Sequence, residues 1–238
     1  MTGVGRLVLD ICAKGYEVQG NEFSLHMLLA SDFMLNGGHT PQKQFSIFPW
    51  LSETSNINAS SDPTSKVLIP DVDPAELLNT GKYDGKINTP KLSMAAGDFV
   101  SIYSDPKECK KWNCVASCFF LDTAPNIIAY LDVIYNMLED NGILINLGPL
   151  LYHWAGPKSR PDDLNSSGYK TRYSSMDERY LRSIEMSWED VRTLVQNIGF
   201  EILQEKIIDS VKYTANVKSL LSHDYRCIFF VAQKKVII

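Results

Sequence analysis

No apolar run in this chain approaches the roughly 20 residues that a membrane-spanning helix needs. Its first fifteen residues, MTGVGRLVLDICAKG, lack the basic flank, apolar stretch and small-residue cleavage site of a secretory signal. The expected location is therefore cytoplasmic, with the nucleus as an additional compartment. Positive charge is also in short supply. Lys and Arg total 23 against 28 Asp and Glu, a net charge of -5, so electrostatics gives no reason to expect a nucleic-acid partner. The five cysteines form no CxxC pair and precede no HxxxH. Cys12 and Cys227 sit in apolar segments, while Cys109, Cys114 and Cys118 cluster without a regular ligand set. Reduced, mostly buried thiols and no metal are expected. Among the four histidines, His26 follows Glu22 by one helical turn, which is too few donors for a metal, and His39 and His223 show nothing distinctive. The remainder is 45% hydrophobic and 21% charged, an ordinary globular balance, and 238 residues suit a single α/β domain spanning 1–238 with insertions.

Periodicity predicts a helix over 6–14, with Leu7 and Ile11 on its apolar side and a stop at Gly15. A short strand at 16–20 follows and ends in Asn21-Glu22. Phe23 to Leu35 reads as a second helix whose Leu25, Leu28, Leu29 and Phe33 form one apolar stripe, closed by Gly37-Gly38. From about 39 to 92 the pattern lapses. The polar run SETSNINASSDPTS lies at 52–65, and long irregular segments are usually functional or disordered. Order resumes over 91–99. The apolar run Cys114 to Leu121 fits a strand buried on both faces. Pro125 suits the first turn of a helix carrying Ile127, Ile128, Leu131, Ile134, Tyr135 and Leu138. Asp140-Asn141-Gly142 then turns the chain into a second buried strand, Ile143 to Leu147. After a polar insertion near 155–183, Ser187-x-x-Asp190 resembles a capping box opening a helix that stops at Gly199. Two strands near 200–208 and 225–233 complete the chain. Alternating helices and buried strands predict a mostly parallel sheet with helices on both faces. Ligands of such sheets lie at the carboxyl ends of the strands, which would gather Glu22, Asp98, Asp122 and the segment after Leu147 around one crevice.

A nucleotide-binding α/β unit ordinarily opens with a strand that feeds a glycine-rich turn. Here Gly3-Val4-Gly5 precedes the first helix with no strand before it. Glu22 lies 19 residues after Gly3, near the spacing of a ribose-binding carboxylate. The first, central strand of the sheet is therefore missing from the pattern, and the expectation is the C-terminal part of a longer protein. The alternative is a compact domain whose glycines merely start a helix.

The segments GVGRL at 3–7, YEVQGNEFS at 16–24, AGDF at 96–99, CFFLDTAPN at 118–126 and INLGPLLYH at 145–153 resemble the carnosine N-methyltransferase family, as do KYT at 212–214 and YRC at 225–227. The resemblance implies a Rossmann-like class I methyltransferase that binds S-adenosyl-L-methionine and methylates the pros nitrogen of imidazole in carnosine or related histidine peptides, giving anserine from carnosine. By the same resemblance Glu22 matches the ribose-binding acid, Asp98 and Phe99 flank the adenine, and Gly3, Gly5 and Cys118 meet the cofactor. Asp122, His153, Tyr213 and Tyr225 match positions lining the peptide site, with Asp122 and His153 the candidates for catalysis. Homodimerisation is a further implication. The family's first loop glycine would fall at Met1, so that contact has no counterpart here.

Read by themselves, these residues leave alternatives open. Asp122 could cap the helix near Pro125, His153 could be a surface or satisfied core histidine, and Cys118 could be packing. Tyr213 and Tyr225 are ordinary strand residues by composition. At the level of function, methylation of histidine in a protein, a non-catalytic remnant and a dehydrogenase reading of the glycine turn also remain.

Overall fold

Local signals set most element boundaries in the computed structural model, which describes residues 2–36, 42–79, 91–152, 183–213 and 216–236. These fall into two units, Met1–Phe99 with Lys212–Asp224, and Val100–Val211 with Tyr225–Ile238. Among the described residues no helix is long and apolar enough to cross a membrane.

In the first unit, α1 (Arg6–Cys12) buries Val8, Leu9 and Cys12. Leu7, expected on its apolar side, is 45% exposed. β1 (Val18–Glu22) and β4 (Leu92–Ala96) run parallel, with Glu22 opposite Ala96. Helix α2 (Leu25–Asn36) overturns the expected stripe: Leu25, Leu29 and Phe33 are 65%, 62% and 47% exposed. The helix is apolar nearly all round, so spacing cannot choose a face. Close approach to the glycine turn chooses it, because a Cβ built on Gly5 would lie 3.0 Å from the Oγ of buried Ser31 and 2.9 Å from Leu35. The supposedly irregular 39–92 region contains β2 (Phe45–Ile47) paired antiparallel with β3 (Val67–Ile69), and α3 (Pro74–Asn79). Strands of three residues are too short to show a period.

The second unit opens with α4 (Phe99–Tyr103), whose first residue ends the first unit. Its sheet has the order β5 (Trp112–Cys118), β6 (Leu138–Gly148), β8 (Asp224–Lys234), β7 (Phe200–Lys212). β5 and β6 are parallel, and β8 is antiparallel to β6. The predicted turn at Asp140-Asn141-Gly142 sits inside β6 as an irregularity, with Asn141 at φ 66. Helix α5 (Ile127–Met137) seals one face of the core through Ile127, Leu131 and Ile134, each 0% exposed. Truncating such a side chain to Ala costs about 2–5 kcal/mol. Helix α6 (Trp188–Ile198) begins as expected: the Ser187 hydroxyl accepts the Asp190 N–H, the Asp190 carboxylate answers the Ser187 N–H, and Gly199 closes the helix in a left-handed conformation. Trp188 stacks on Phe230 at 5.4 Å and Tyr135 meets Phe200 edge-on at 5.3 Å. Of the thiols, Cys12 and Cys227 are buried as expected, whereas Cys109 and Cys114 are exposed.

Candidate functional site

The carboxyl ends of β1 and β4 converge on Glu22. Gly3 and Gly5 take φ values of 58 and 87, a region from which side chains are largely excluded. The turn so formed lets the Gly3 N–H donate to Glu22 Oε2 at 2.8 Å. Glu22 Oε1 accepts the N–H groups of Phe23 at 3.0 Å and Ser24 at 2.9 Å. A carboxylate only 2% exposed is thereby held by three backbone donors, as a buried charge requires. The turn is also tied to β1 by the Thr2 N–H, which donates to the Asn21 carbonyl at 3.0 Å.

Asp98 and Phe99 sit beside this carboxylate through the backbone, because the Gly97 N–H donates to the Glu22 carbonyl at 2.9 Å. Asn21 reinforces the join: its amide donates to the carbonyls of Ala95 at 3.2 Å and Gly97 at 3.1 Å. Sequence reasoning missed Asn21, although a polar residue one place before a strand's terminal acid was the available signal. Phe99 is buried and Asp98 half-buried. Gly3, Gly5, Glu22, Asp98 and Phe99 thus share one strand end within the first unit.

In the second unit the carboxyl ends of β5 and β6 meet the amino end of β8. Phe119 leaves β5 with φ 49, and its N–H donates to the Leu147 carbonyl at 2.8 Å. That reversal carries the chain into a 3-10 turn over Leu121–Thr123, so the expected strand ends at Cys118 and not at Leu121. The contact is close: a Cβ on Gly148 would come within 3.2 Å of the Phe119 backbone. The Phe119 ring meets Tyr225 edge-on at 6.0 Å. Beneath them the Ser117 hydroxyl donates to Asn146 Oδ1 at 3.0 Å, and the Asn146 amide donates to the Ile228 carbonyl at 3.2 Å. This pair of hydrogen bonds links β5, β6 and β8.

Asp122 is 1% exposed, and its Oδ2 accepts the Leu151 N–H at 3.0 Å. It does not cap α5. Asn126 does, accepting the Ile128 and Ala129 N–H groups at 3.0 and 3.3 Å. Asp122 instead ties the turn after β5 to the segment after β6. That segment carries Tyr152, buried, with φ 49 and its hydroxyl donating to the Met186 carbonyl at 2.8 Å. Left-handed conformations at two aromatic residues, Phe119 and Tyr152, are backbone strain concentrated at one strand end. Burial pushes the thiols of Cys118 and Cys227 up from their ordinary values, so both are neutral at pH 7. Cys118, Asp122 and Tyr225 are therefore brought together. Tyr213 belongs to the first unit, is 55% exposed and closes a loop through its N–H to the His223 carbonyl at 2.9 Å. His153 lies outside the described residues.

Two solved structures resemble the fold. One is a SAM-dependent methyltransferase from Methanosarcina mazei, with TM-score 0.54 and 11% identity, covering 99% of this chain and 90% of that one. The other is the cyclase SpnF, with TM-score 0.52 and 10% identity, covering 99% and 74%. One of the pair being a cyclase, the likeness carries the α/β fold of class I S-adenosylmethionine-dependent methyltransferases and not a reaction. Sequence likeness is more specific. The carnosine N-methyltransferase of Mus musculus is 38% identical over 232 residues, covering 98% of this chain and 50% of that protein. That of Schizosaccharomyces pombe is 36% identical, covering 98% and 56%. The chain thus spans about half the length of these relatives. The family profile described as carnosine N-methyltransferase matches residues 2–236, and the chain belongs to that family.

Proposed function

We propose that the protein is an S-adenosyl-L-methionine-dependent N-methyltransferase acting on the pros nitrogen of imidazole in carnosine or a related histidine peptide, with anserine the product from carnosine. The observation that carries the reading is Asp122, a carboxylate 1% exposed at the strand ends whose Oδ2 accepts the Leu151 N–H, with Asn126 and not Asp122 capping α5.

The first unit suits the cofactor. A Cβ added at Gly3 meets nothing within 4 Å, so the turn is open on that side. Three of the roughly four acceptor positions of the Glu22 carboxylate are filled by backbone, which leaves one for a ribose hydroxyl. Gly3, Gly5, Glu22, Asp98 and Phe99 would hold the group, with Cys118 a further contact by family likeness. When bound, it supplies an electrophilic methyl on a sulfonium.

Attack on that methyl needs a nitrogen lone pair. A histidine side chain with pKa near 6.5 is roughly three-quarters neutral at pH 7, so removing a proton beforehand gains little. The tautomer matters more, since one ring nitrogen must hold the hydrogen while the other reacts. Asp122 accepts that N–H, fixes the tautomer and offsets the positive charge that develops on the ring. Positioning can contribute roughly 7–11 kcal/mol, against about 3–5 kcal/mol for general-base catalysis, so holding the ring is the larger task. Tyr225, braced by Phe119, lines the peptide site beside Asp122 in this reading, and family likeness assigns Tyr213 and His153 to the same task. Incubation with carnosine and methyl-labelled cofactor, followed by NMR of the product, tests it. Label on the pros nitrogen supports the reading. Label on the other ring nitrogen, or only on protein histidines in a cell extract, refutes it.

A further inference from the structure

The loop between β7 and β8, which bears Tyr213, is fastened to the polar run at 52–65 by a set of contacts that the proposed reaction does not by itself require. The Leu220 N–H donates to the Asn56 carbonyl at 2.8 Å, and Ile57 and Ser219 form an isolated antiparallel bridge. The Asn216 amide donates to Glu53 at 3.1 Å. Lys218 Nζ donates to the Ser65 hydroxyl at 2.8 Å and lies 3.5 Å from Asp62.

Each side of this clasp is organised to meet the other. Asn56 has φ 55, which turns its carbonyl outward to the loop; Asn tolerates that conformation better than other residues with a Cβ. Asp62 accepts the Ala59 N–H at 2.9 Å and so folds its own turn while facing Lys218. On the loop side, Asn216 Oδ1 accepts the Lys218 N–H at 3.2 Å, and Ser219 Oγ accepts the Leu221 N–H at 3.2 Å. From Leu220 the chain runs three residues to His223, whose carbonyl takes the Tyr213 N–H at 2.9 Å. A short path of contacts thus joins Asn56 to Tyr213. Exposed ion pairs are weak, so the backbone contacts at Asn56 and Ile57 carry the fastening and Lys218 assists.

We infer that residues 53–65 brace residues 216–223, making Asn56, Asn216 and Lys218 positioning residues for Tyr213. The inference rests on the substrate role proposed for Tyr213. Asn56→Val and Asn56→Gly both delete the amide side chain, but only Gly keeps the left-handed backbone. In the protein, Asn56→Val raises KM for carnosine about tenfold, since small misplacements of substrate-positioning groups are costly. Asn56→Gly stays near wild type, and affinity for S-adenosylhomocysteine changes in neither. Hydrogen exchange at the Leu220 amide quickens in Asn56→Val alone. Asn216→Ala, a milder change on the opposite side, raises KM in the same direction. If Leu220 exchange quickens while KM stays put and Tyr213→Ala still raises KM, the brace is irrelevant to catalysis and the inference fails. If exchange does not quicken, the fastening itself is refuted. If Tyr213→Ala leaves KM unchanged, the substrate role of Tyr213 falls and takes the inference with it.

Discussion

Replacing Glu22 by Gln changes one atom of a buried group and has a calculable effect. The carboxylate accepts three backbone N–H groups, from Gly3 at 2.8 Å, Phe23 at 3.0 Å and Ser24 at 2.9 Å. Gln offers one acceptor and one NH₂. Its oxygen keeps the Phe23 and Ser24 donors, and its nitrogen is then set against the Gly3 N–H, donor against donor. An unsatisfied buried donor costs about 1–3 kcal/mol. At roughly 2–4 °C per kcal/mol for a chain of this size, the melting temperature falls by about 2–12 °C. Removing the charge also weakens the proposed ribose contact, since a hydrogen bond to a charged group contributes about 1.5–3 kcal/mol. Affinity for S-adenosylhomocysteine then drops roughly 10- to 100-fold. Turnover at saturating cofactor stays close to wild type, because Glu22 is not part of the peptide site. Calorimetric titration with S-adenosylhomocysteine and a thermal melt read both effects. A lowered melting temperature with unchanged affinity would reduce Glu22 to a staple of the turn and refute its assignment to the cofactor.

Gly148→Ala sets a methyl about 3.2 Å from the Phe119 backbone, which has no flexible end to yield. The mutant loses about 1–3 kcal/mol of stability on chemical denaturation and loses turnover as the Asp122 turn shifts. Asn126→Ala removes the α5 cap and costs about 1 kcal/mol, but KM for carnosine holds, which separates capping from chemistry. Burial, aided by the Glu108 carboxylate, pushes the Tyr103 phenol up to about 12. Its folded pKa exceeds the unfolded one, so this group's contribution to stability is intact below about pH 10 and is lost as pH climbs towards 12; Tyr103→Phe removes that alkaline slope.

Where sequence signals are local, the fold was legible. The start of α6 depends on Ser187 and Asp190 and its end on Gly199, all readable without tertiary context. The spacing of Gly3 and Glu22 likewise singled out two residues of one turn, though as a ribose-binding pair and not as the direct hydrogen bond that joins them. Where a decision belongs to packing, legibility stopped. Nothing in the spacing of α2 indicates that Ser31, and not Leu25 or Leu29, faces inward; the approach of Gly5 decides it. Asp122 could not be told from a helix cap by sequence alone; Asn126 takes that place by holding the Ile128 and Ala129 N–H groups. The left-handed bend at Phe119 is invisible in a run of apolar residues, since neither glycine nor asparagine marks it. The 52–65 run looks irregular because its order comes from residues more than 150 positions away, as in the pairing of Asn216 with Glu53.

The central claim is that Asp122 orients the reacting imidazole. Asp122→Asn isolates it, because the amide oxygen can still accept the Leu151 N–H while the amide nitrogen presents a donor where the ring N–H needs an acceptor. The measurement is kcat for carnosine methylation beside the dissociation constant of S-adenosylhomocysteine in the same variant. The account predicts a fall in kcat of roughly 10- to 100-fold with the dissociation constant unchanged. Equal losses in both quantities, or wild-type kcat, would contradict it.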